Sequence, residues 1–123
     1  MSQFEERLFE TDDGLTLYCR DYAAPTPSAA TVVCLHGLSR NSRDFQDLAP
    51  ALNQHFRVLV PEQRGRGRSA YDTVPSRYNL MQYVHDTCAM LVAFHCERVS
   101  VVGTSMGGLM TFALNALYPD LIH

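Results

Sequence analysis

The sequence predicts an α/β fold with a doubly wound, mostly parallel sheet, and two observations support this class. Three apolar stretches, residues 31–38, 56–61 and 98–102, each run into a turn that contains glycine. Segments with helical spacing of apolar residues separate the stretches, and strands that alternate with helices form parallel sheets joined by right-handed crossovers.

The chain opens with a predicted antiparallel hairpin. Apolar residues alternate imperfectly over residues 4–9 and 14–22, on either side of an Asp-Asp-Gly sequence at 12–14. Asp-Gly between two alternating stretches is a strong hairpin pattern, because it supplies the backbone conformations that a tight turn needs. Residues 23–28 then form a predicted loop that leads to the first buried strand.

Three helices are predicted. An Asn-Ser pair caps the first, which runs over residues 41–52. The second lies within residues 76–96, with Asn79 as its cap and Gln82 three residues later. The third follows residue 105 and ends before Pro119. One face of the second helix carries Leu80, Tyr83, Val84, Thr87, Leu91 and Phe94.

The most informative motif is the sequence Gly-Thr-Ser-Met-Gly at residues 103–107, between the last strand and the third helix. A serine in such a turn is forced into a crowded backbone geometry, and glycines two residues to either side let the strand and helix approach closely. The hydroxyl then projects from the fold at the positive end of a helix. The bare pattern arises by chance in roughly one in 25 chains of this length, so its context must decide.

Two further glycine turns supply that context. His36-Gly37-Leu38 follows the first buried strand, where a backbone N–H can point outward, and a glycine-rich loop at residues 64–69 follows the second. All three turns stand at the carboxyl ends of predicted parallel strands. They should therefore meet in one crevice, the place where ligands bind in open α/β sheets.

With these three motifs in this order, the chain resembles the α/β-hydrolase fold family over essentially its whole length. The matching segments are residues 36–38, 64–69 and 103–108. The resemblance implies a sheet of the α/β-hydrolase type. One residue departs from the family pattern, because many members have Asp where Glu62 stands. We expect the extra methylene to change a hydrogen bond of the loop rather than the chemistry.

The resemblance also implies a serine hydrolase. Ser105 is the expected nucleophile, which a histidine and a carboxylate would activate toward a substrate carbonyl. The backbone N–H groups of Met106 and Leu38 are the expected oxyanion-hole donors. The substrate would be a small-molecule ester, thioester, lactone or related carbonyl compound, with no cofactor or metal. Serine at residue 105 argues against the family's dehalogenases and epoxide hydrolases, which use Asp there.

Length bears on the mechanism. Family members are much longer than 123 residues, and their catalytic order is Ser, then Asp or Glu, then His. We therefore expect residues 1–123 to be the N-terminal part of a single core domain, truncated after the helix behind Ser105. The acid, the histidine, the cap and the later strands would lie beyond His123. Alone, the chain should be poorly soluble and nearly inactive, because the strand at 98–102 would expose an unpaired edge.

Each candidate has a simpler interpretation. The alternative for Ser105 is a non-catalytic turn in a hydrolase-like binding or scaffold protein. His36 is a candidate base, although the resemblance makes it a structural residue of the oxyanion loop. The arginines of the 64–69 loop fit an anion or RNA site, or a turn that they support and solvate. A nucleotide-binding domain is disfavoured, because the turn after Val102 lacks the G-x-G-x-x-G pattern.

Composition favours a soluble cytoplasmic protein. A net charge of −3 gives no reason to expect a nucleic-acid partner. Residues 1–7 lack the apolar core of a signal sequence, and no apolar run approaches the ~20 residues of a membrane span. The oligomeric state is not indicated. Four cysteines without a C-x-x-C pair are predicted to be reduced thiols buried in strands or a helix: Cys19, Cys34, Cys88 and Cys96.

Overall fold

A mixed five-stranded sheet organises the chain, as seen in a computed structural model that describes residues 3–123. Met1 and Ser2, which begin the N-terminal segment considered above, lie outside the described residues. The strands are β1 (Glu5–Glu10), β2 (Thr16–Tyr22), β3 (Thr31–Leu35), β4 (Arg57–Pro61) and β5 (Ser100–Gly103). The α-helices are α1 (Leu48–Leu52), α2 (Leu80–Ala93) and α3 (Met106–Leu117).

The strand order is β1-β2-β4-β3-β5. β3 pairs in parallel with β4 on one side and with β5 on the other, whereas β1 with β2 and β2 with β4 pair antiparallel. The predicted α/β class is confirmed, and the antiparallel pairings come from the N-terminal hairpin. Because β3 is parallel to both of its neighbours, β4 and β5, the carboxyl ends of all three strands lie at the same edge of the sheet.

The predicted hairpin is confirmed. Its turn contains Gly14, whose φ of 83° is accessible to glycine at little cost and whose N–H donates to the Thr11 carbonyl at 2.9 Å. The strands pair from Glu5 opposite Asp21 to Glu10 opposite Thr16.

Helices cover both faces of the sheet. Successive side chains of a strand point to opposite faces, so each strand contributes to the cores on both sides. Val33 and Leu35 of β3 belong to a core with α2 and α3, whereas Val32 and Cys34 belong to a second core with α1. None of the helices in residues 3–123 has both the length and the hydropathy needed to cross a membrane.

The first predicted helix is wrong as a continuous element. The structure has a 3-10 turn over Ser42–Phe45, capped by the Asn41 side chain, and then the separate five-residue α1. Pro50 explains the break, because a continuous helix would need its missing N–H and would bring its ring against the carbonyl of Gln46. The second predicted helix is confirmed, and the Asn79 side chain accepts from the Gln82 N–H at 2.8 Å.

All four cysteines are free thiols. Cys19 and Cys34 are buried in strands, and burial raises the pKa of Cys34 to about 12. Cys88 and Cys96 are only partly buried, and Cys96 lies beyond the end of α2, which corrects the prediction for both. The helix stops because His95 takes a φ of 57°, a left-handed conformation that ends helices.

Arg64, at the start of the second glycine loop, is completely buried and binds three carboxylates. It donates to Asp86 on α2 at 2.7 and 2.8 Å, to Asp72 at 2.8 Å and to Asp13 at 2.9 and 3.1 Å. The hydrogen bond from Arg64 lowers the pKa of Asp13, so this partner stays ionised. The guanidinium thereby joins the loop to the hairpin turn, to the segment before α2 and to α2 itself.

Replacement of Arg64 should therefore destabilise the fold. We expect Arg64→Met to lower the free energy of unfolding by about 3–5 kcal/mol, because it leaves the buried Asp86 carboxylate without its cation, whereas Asp13 and Asp72 keep Arg77. Arg68→Met is the matched control in the same loop. The Arg68 side chain is exposed, pairs with Glu6 and lies over the Tyr18 ring, so its loss should change stability by at most about 1 kcal/mol. Urea denaturation measures both. Equal losses in the two variants would contradict this assignment.

Candidate active site

Strand β5 and helix α3 meet at Ser105 in a strained turn. Ser105 has φ 55° and ψ −115°, a conformation that costs a residue with a Cβ on the order of 1–3 kcal/mol. Met106 is the first residue of α3. The turn leaves Ser105 exposed at the carboxyl edge of the sheet, as the motif predicted.

Two glycines allow the close packing around this turn. A Cβ on Gly103 would lie 2.2 Å from the Gly107 carbonyl oxygen, and a Cβ on Gly107 would lie 2.1 Å from the Leu35 carbonyl oxygen. Either contact is impossible without movement of the backbone. Gly108 differs, because the nearest atom to a Cβ there is the Gly103 oxygen at 3.7 Å, an ordinary contact. Only the two motif glycines are required by the approach of β5 and α3 to β3.

The turn after β3 lies beside the serine. A Cβ on Gly37 would be 3.5 Å from the Ser105 Cβ. Ser105, Met106 and Leu38 line one cavity of about 380 Å³, so the structure brings the three predicted site residues together. Among residues 3–123, the N–H groups of Leu38 and Met106 donate to no acceptor. They are free to bind an oxygen atom in the cavity.

The walls of the cavity come from α3, from α2 and from the segment before α2. The residues are Tyr78, Asn79, Leu80, Tyr83 and Leu109. The sequence predicts Leu80 and Tyr83 on one face of the second helix but assigns none of the five to the site. The spacing of apolar residues predicts which face of a helix is buried, but it does not predict which cavity that face borders. No local sequence pattern therefore identifies these five residues as part of the site. The apolar walls suit an apolar portion of a ligand.

His36 is held by hydrogen bonds at both ring nitrogens. Its Nε2 accepts from the Gln63 N–H at 3.0 Å, so the proton of the neutral ring is on Nδ1, which donates to the Gly37 carbonyl at 2.7 Å. Burial lowers the pKa of His36, and the ring is therefore neutral at pH 7. The Gly37 carbonyl belongs to the same peptide group as the Leu38 N–H. His36 thus orients that N–H, and it is not a free base.

The arginines of the 64–69 loop make contacts within the protein. Arg64 is buried among carboxylates, Arg66 donates to the carbonyls of Leu38 and Arg64, and Arg68 pairs with Glu6. The simpler of the two sequence interpretations, support of the turn, accounts for these contacts.

Glu62 holds the 64–69 loop through its carboxylate. Its carboxylate accepts from the N–H and hydroxyl of Ser42, both at 3.0 Å, and from the Arg68 N–H at 2.8 Å. The carboxylate also fills the space beside Gly67, where a Cβ would lie 2.2 Å from it. The residue that departs from the family pattern therefore joins two loops and lies outside the cavity.

No histidine lines the Ser105 cavity within residues 3–123. The Ser105 side chain caps no backbone N–H of α3. The described residues thus place a serine and two free N–H donors together, without a base beside the serine.

Comparison with known proteins agrees with this geometry. Residues 30–123 match the family model of the alpha/beta hydrolase fold. This match covers well over half of the chain, and the chain belongs to the α/β-hydrolase fold family. The resemblance drawn from the three motifs is confirmed.

Three relatives illustrate the degree of sequence and structural similarity. An alpha/beta hydrolase from Novosphingobium aromaticivorans, of known crystal structure, is 46% identical with a TM-score of 0.93, over 99% of this chain and 42% of that one. A 3-hydroxybutyrate-oligomer hydrolase of Cupriavidus necator is 42% identical over 86 residues, 70% of this chain and 29% of the relative. A serine hydrolase-like protein of Danio rerio is 34% identical over 92 residues, 75% of this chain and 28% of the relative. The chain spans less than a third of these two curated relatives.

The glycine contacts give a direct test of the turn. Gly107→Ala should lower the free energy of unfolding by about 1–3 kcal/mol or more, because the new methyl group overlaps the Leu35 carbonyl. Gly108→Ala, one residue later in the same helix, should leave stability unchanged or raise it by up to about 1 kcal/mol, because alanine favours helices. Urea denaturation of the two variants makes the comparison. A Gly107→Ala protein as stable as Gly108→Ala would refute the packing described here.

His36 predicts a pH dependence of stability. Its pKa in the folded protein is below the ordinary 6.5, so the unfolded chain binds a proton more readily. The stabilisation is complete above pH 6.5 and falls with acidification, by up to about 1.4 kcal/mol per pH unit, until the folded pKa is reached.

His36→Asn keeps an amide donor for the Gly37 carbonyl but has no titrating group. The difference in free energy of unfolding between wild type and this variant should therefore shrink from pH 7.5 to pH 5.5, as followed by urea denaturation at each pH. A constant difference would show that His36 does not titrate abnormally.

Proposed function

We propose that this chain carries the nucleophile and oxyanion hole of a serine hydrolase that acts on a small-molecule carbonyl compound. One observation carries the proposal: an exposed, strained Ser105 shares a cavity with the uncommitted N–H groups of Leu38 and Met106. A nucleophile beside two unpaired backbone N–H donors is the arrangement that acyl transfer requires.

The steps follow from this arrangement. The Ser105 Oγ attacks the carbonyl carbon and gives its proton to a histidine base, while the developing oxyanion accepts from the N–H groups of Leu38 and Met106. The intermediate collapses to an acyl-serine, and the leaving group takes the proton from the histidine. Water then hydrolyses the acyl-serine to the free acid and restores Ser105.

In this proposal the histidine and its carboxylate partner are supplied by a longer protein in which residues 1–123 form the N-terminal part of the core domain. Two observations support it. Both ring nitrogens of His36 are engaged away from the serine, and no other histidine lines the cavity within residues 3–123. The two curated relatives described above are also more than three times as long as the segments that match this chain.

The substrate class proposed is an ester, thioester or lactone with an apolar acyl group. Leu80, Tyr83 and Leu109 line the cavity and suit such a group. The relative from Cupriavidus necator, named for hydrolysis of 3-hydroxybutyrate oligomers, supports an ester among these bonds. We place the reaction in the cytoplasm, with neither a nucleic-acid nor a membrane partner.

A second candidate is a hydrolase-like binding or scaffold protein. It is favoured by the lack of a base beside Ser105 within residues 3–123. An unactivated serine is a poor nucleophile near neutral pH, so the two candidates differ in the reactivity of this one hydroxyl.

A fluorophosphonate probe separates them. In the complete protein that contains this chain, we expect labelling at Ser105 and turnover of p-nitrophenyl acetate. Ser105→Ala should abolish labelling and lower turnover at least about 10³-fold. Ser28→Ala, in the exposed loop before β3, is the matched control and should behave as wild type.

The other outcomes are equally informative. Absence of labelling in the complete, folded protein would support the scaffold. The isolated 123-residue chain should show neither labelling nor turnover, and robust activity that Ser105→Ala abolishes would place a base within these residues.

A further inference from the structure

Arg66 connects the turn that carries Leu38 to the aromatic wall of the cavity. Its Nε donates to the Leu38 carbonyl at 2.9 Å, and its Nη1 donates to the Arg64 carbonyl at 3.0 Å. The guanidinium carbon lies 4.8 Å from the centre of the Tyr83 ring and 5.9 Å from that of Tyr78. Both tyrosines line the Ser105 cavity.

Both peptide groups of Leu38 are held by hydrogen bonds. The Gly37 carbonyl, in the peptide that contains the Leu38 N–H, accepts from His36 Nδ1 at 2.7 Å and from the Arg40 N–H at 3.1 Å. The Leu38 carbonyl, in the next peptide, accepts from Arg66. The Leu38 side chain is 61% exposed and provides little packing. Hydrogen bonds must therefore set the direction of the Leu38 N–H.

Arg66 is itself fixed by its surroundings. One of its acceptors is the backbone of Arg64, whose side chain is completely buried among three carboxylates. Tyr78 is anchored as well, because its hydroxyl accepts from the Asp72 N–H at 2.7 Å and donates to the Asp72 carbonyl at 2.9 Å. The planar guanidinium fork suits two carbonyls and an aromatic face at once.

We propose that Arg66 is a positioning residue for the oxyanion hole. It holds the Leu38 carbonyl, and thereby the Leu38 backbone, so that the Leu38 N–H points at the oxyanion. This inference rests on the proposed function of the same site. Arg66 does not touch the reacting atoms. Its loss should reduce stabilisation of the transition state and leave binding of the substrate ground state nearly unchanged.

The experiment compares Arg66→Gln with Arg68→Gln in the complete protein. The two variants lose the same charge from the same loop, but Arg68 contacts Glu6 and not Leu38. We expect Arg66→Gln to lower kcat for p-nitrophenyl acetate about tenfold or more, less than the 10²–10³ that follows loss of an oxyanion donor itself. KM should stay within about threefold, and Arg68→Gln should keep kcat within about twofold.

A transition-state analogue distinguishes positioning from a general structural role. Phenylboronic acid forms a tetrahedral adduct with a reactive serine, so its inhibition constant should rise in Arg66→Gln by about the factor that kcat falls. Urea denaturation should show similar stability in the two variants. If Arg66→Gln fails to fold, Arg66→Lys replaces it, because a lysine keeps the charge but lacks the planar fork whose Nε and Nη1 bind the two carbonyls.

The possible failures are distinguishable. An unlabelled and inactive wild type rejects the proposed function. An active wild type with Arg66→Gln equal to Arg68→Gln, or with KM raised and kcat unchanged, overturns the role of Arg66. The second of those results would instead assign Arg66 to ground-state binding of the substrate.

Discussion

The site depends on the close approach of the backbones of β3, β5 and α3 at one point. At Gly103 and Gly107 this approach leaves no room for a Cβ atom. The Gly107 backbone packs against the Leu35 carbonyl, so the end of β5 and the start of α3 are held against β3. The turn that joins them puts Ser105 at a φ of 55°. The strain is maintained by burial of Met110 and Leu114 in the core beneath α3.

A layer of buried polar residues fixes the loops around this point. His36, Glu62 and Arg64 each satisfy their hydrogen bonds within the protein, and each joins segments far apart in the chain. Buried charges are costly unless paired, so such residues favour one arrangement of the loops over all others. This is how the Leu38 N–H keeps a defined direction although the Leu38 side chain contributes little packing.

The local predictions succeeded where a residue acts on its own backbone. The Asp-Asp-Gly turn, the cap at Asn79 and the strained turn at Ser105 follow from conformations that the nearest residues prefer. Prediction failed where apolar spacing outweighed one local signal. Pro50 divides the first predicted helix into a 3-10 turn and the short α1, although the apolar spacing runs through it.

The sequence by itself determined the succession of strands and helices along the chain, the position of the serine turn and the three turns that meet at the sheet edge. Each of these depends on short-range backbone geometry or on periodic burial. The tertiary structure alone decided that Tyr78 and Tyr83 wall the cavity and that His36 carries its proton on Nδ1. It also decided that Arg66 reaches the Leu38 carbonyl. These contacts join residues far apart in the chain, and they exist only after packing of the helices and loops has fixed their distances.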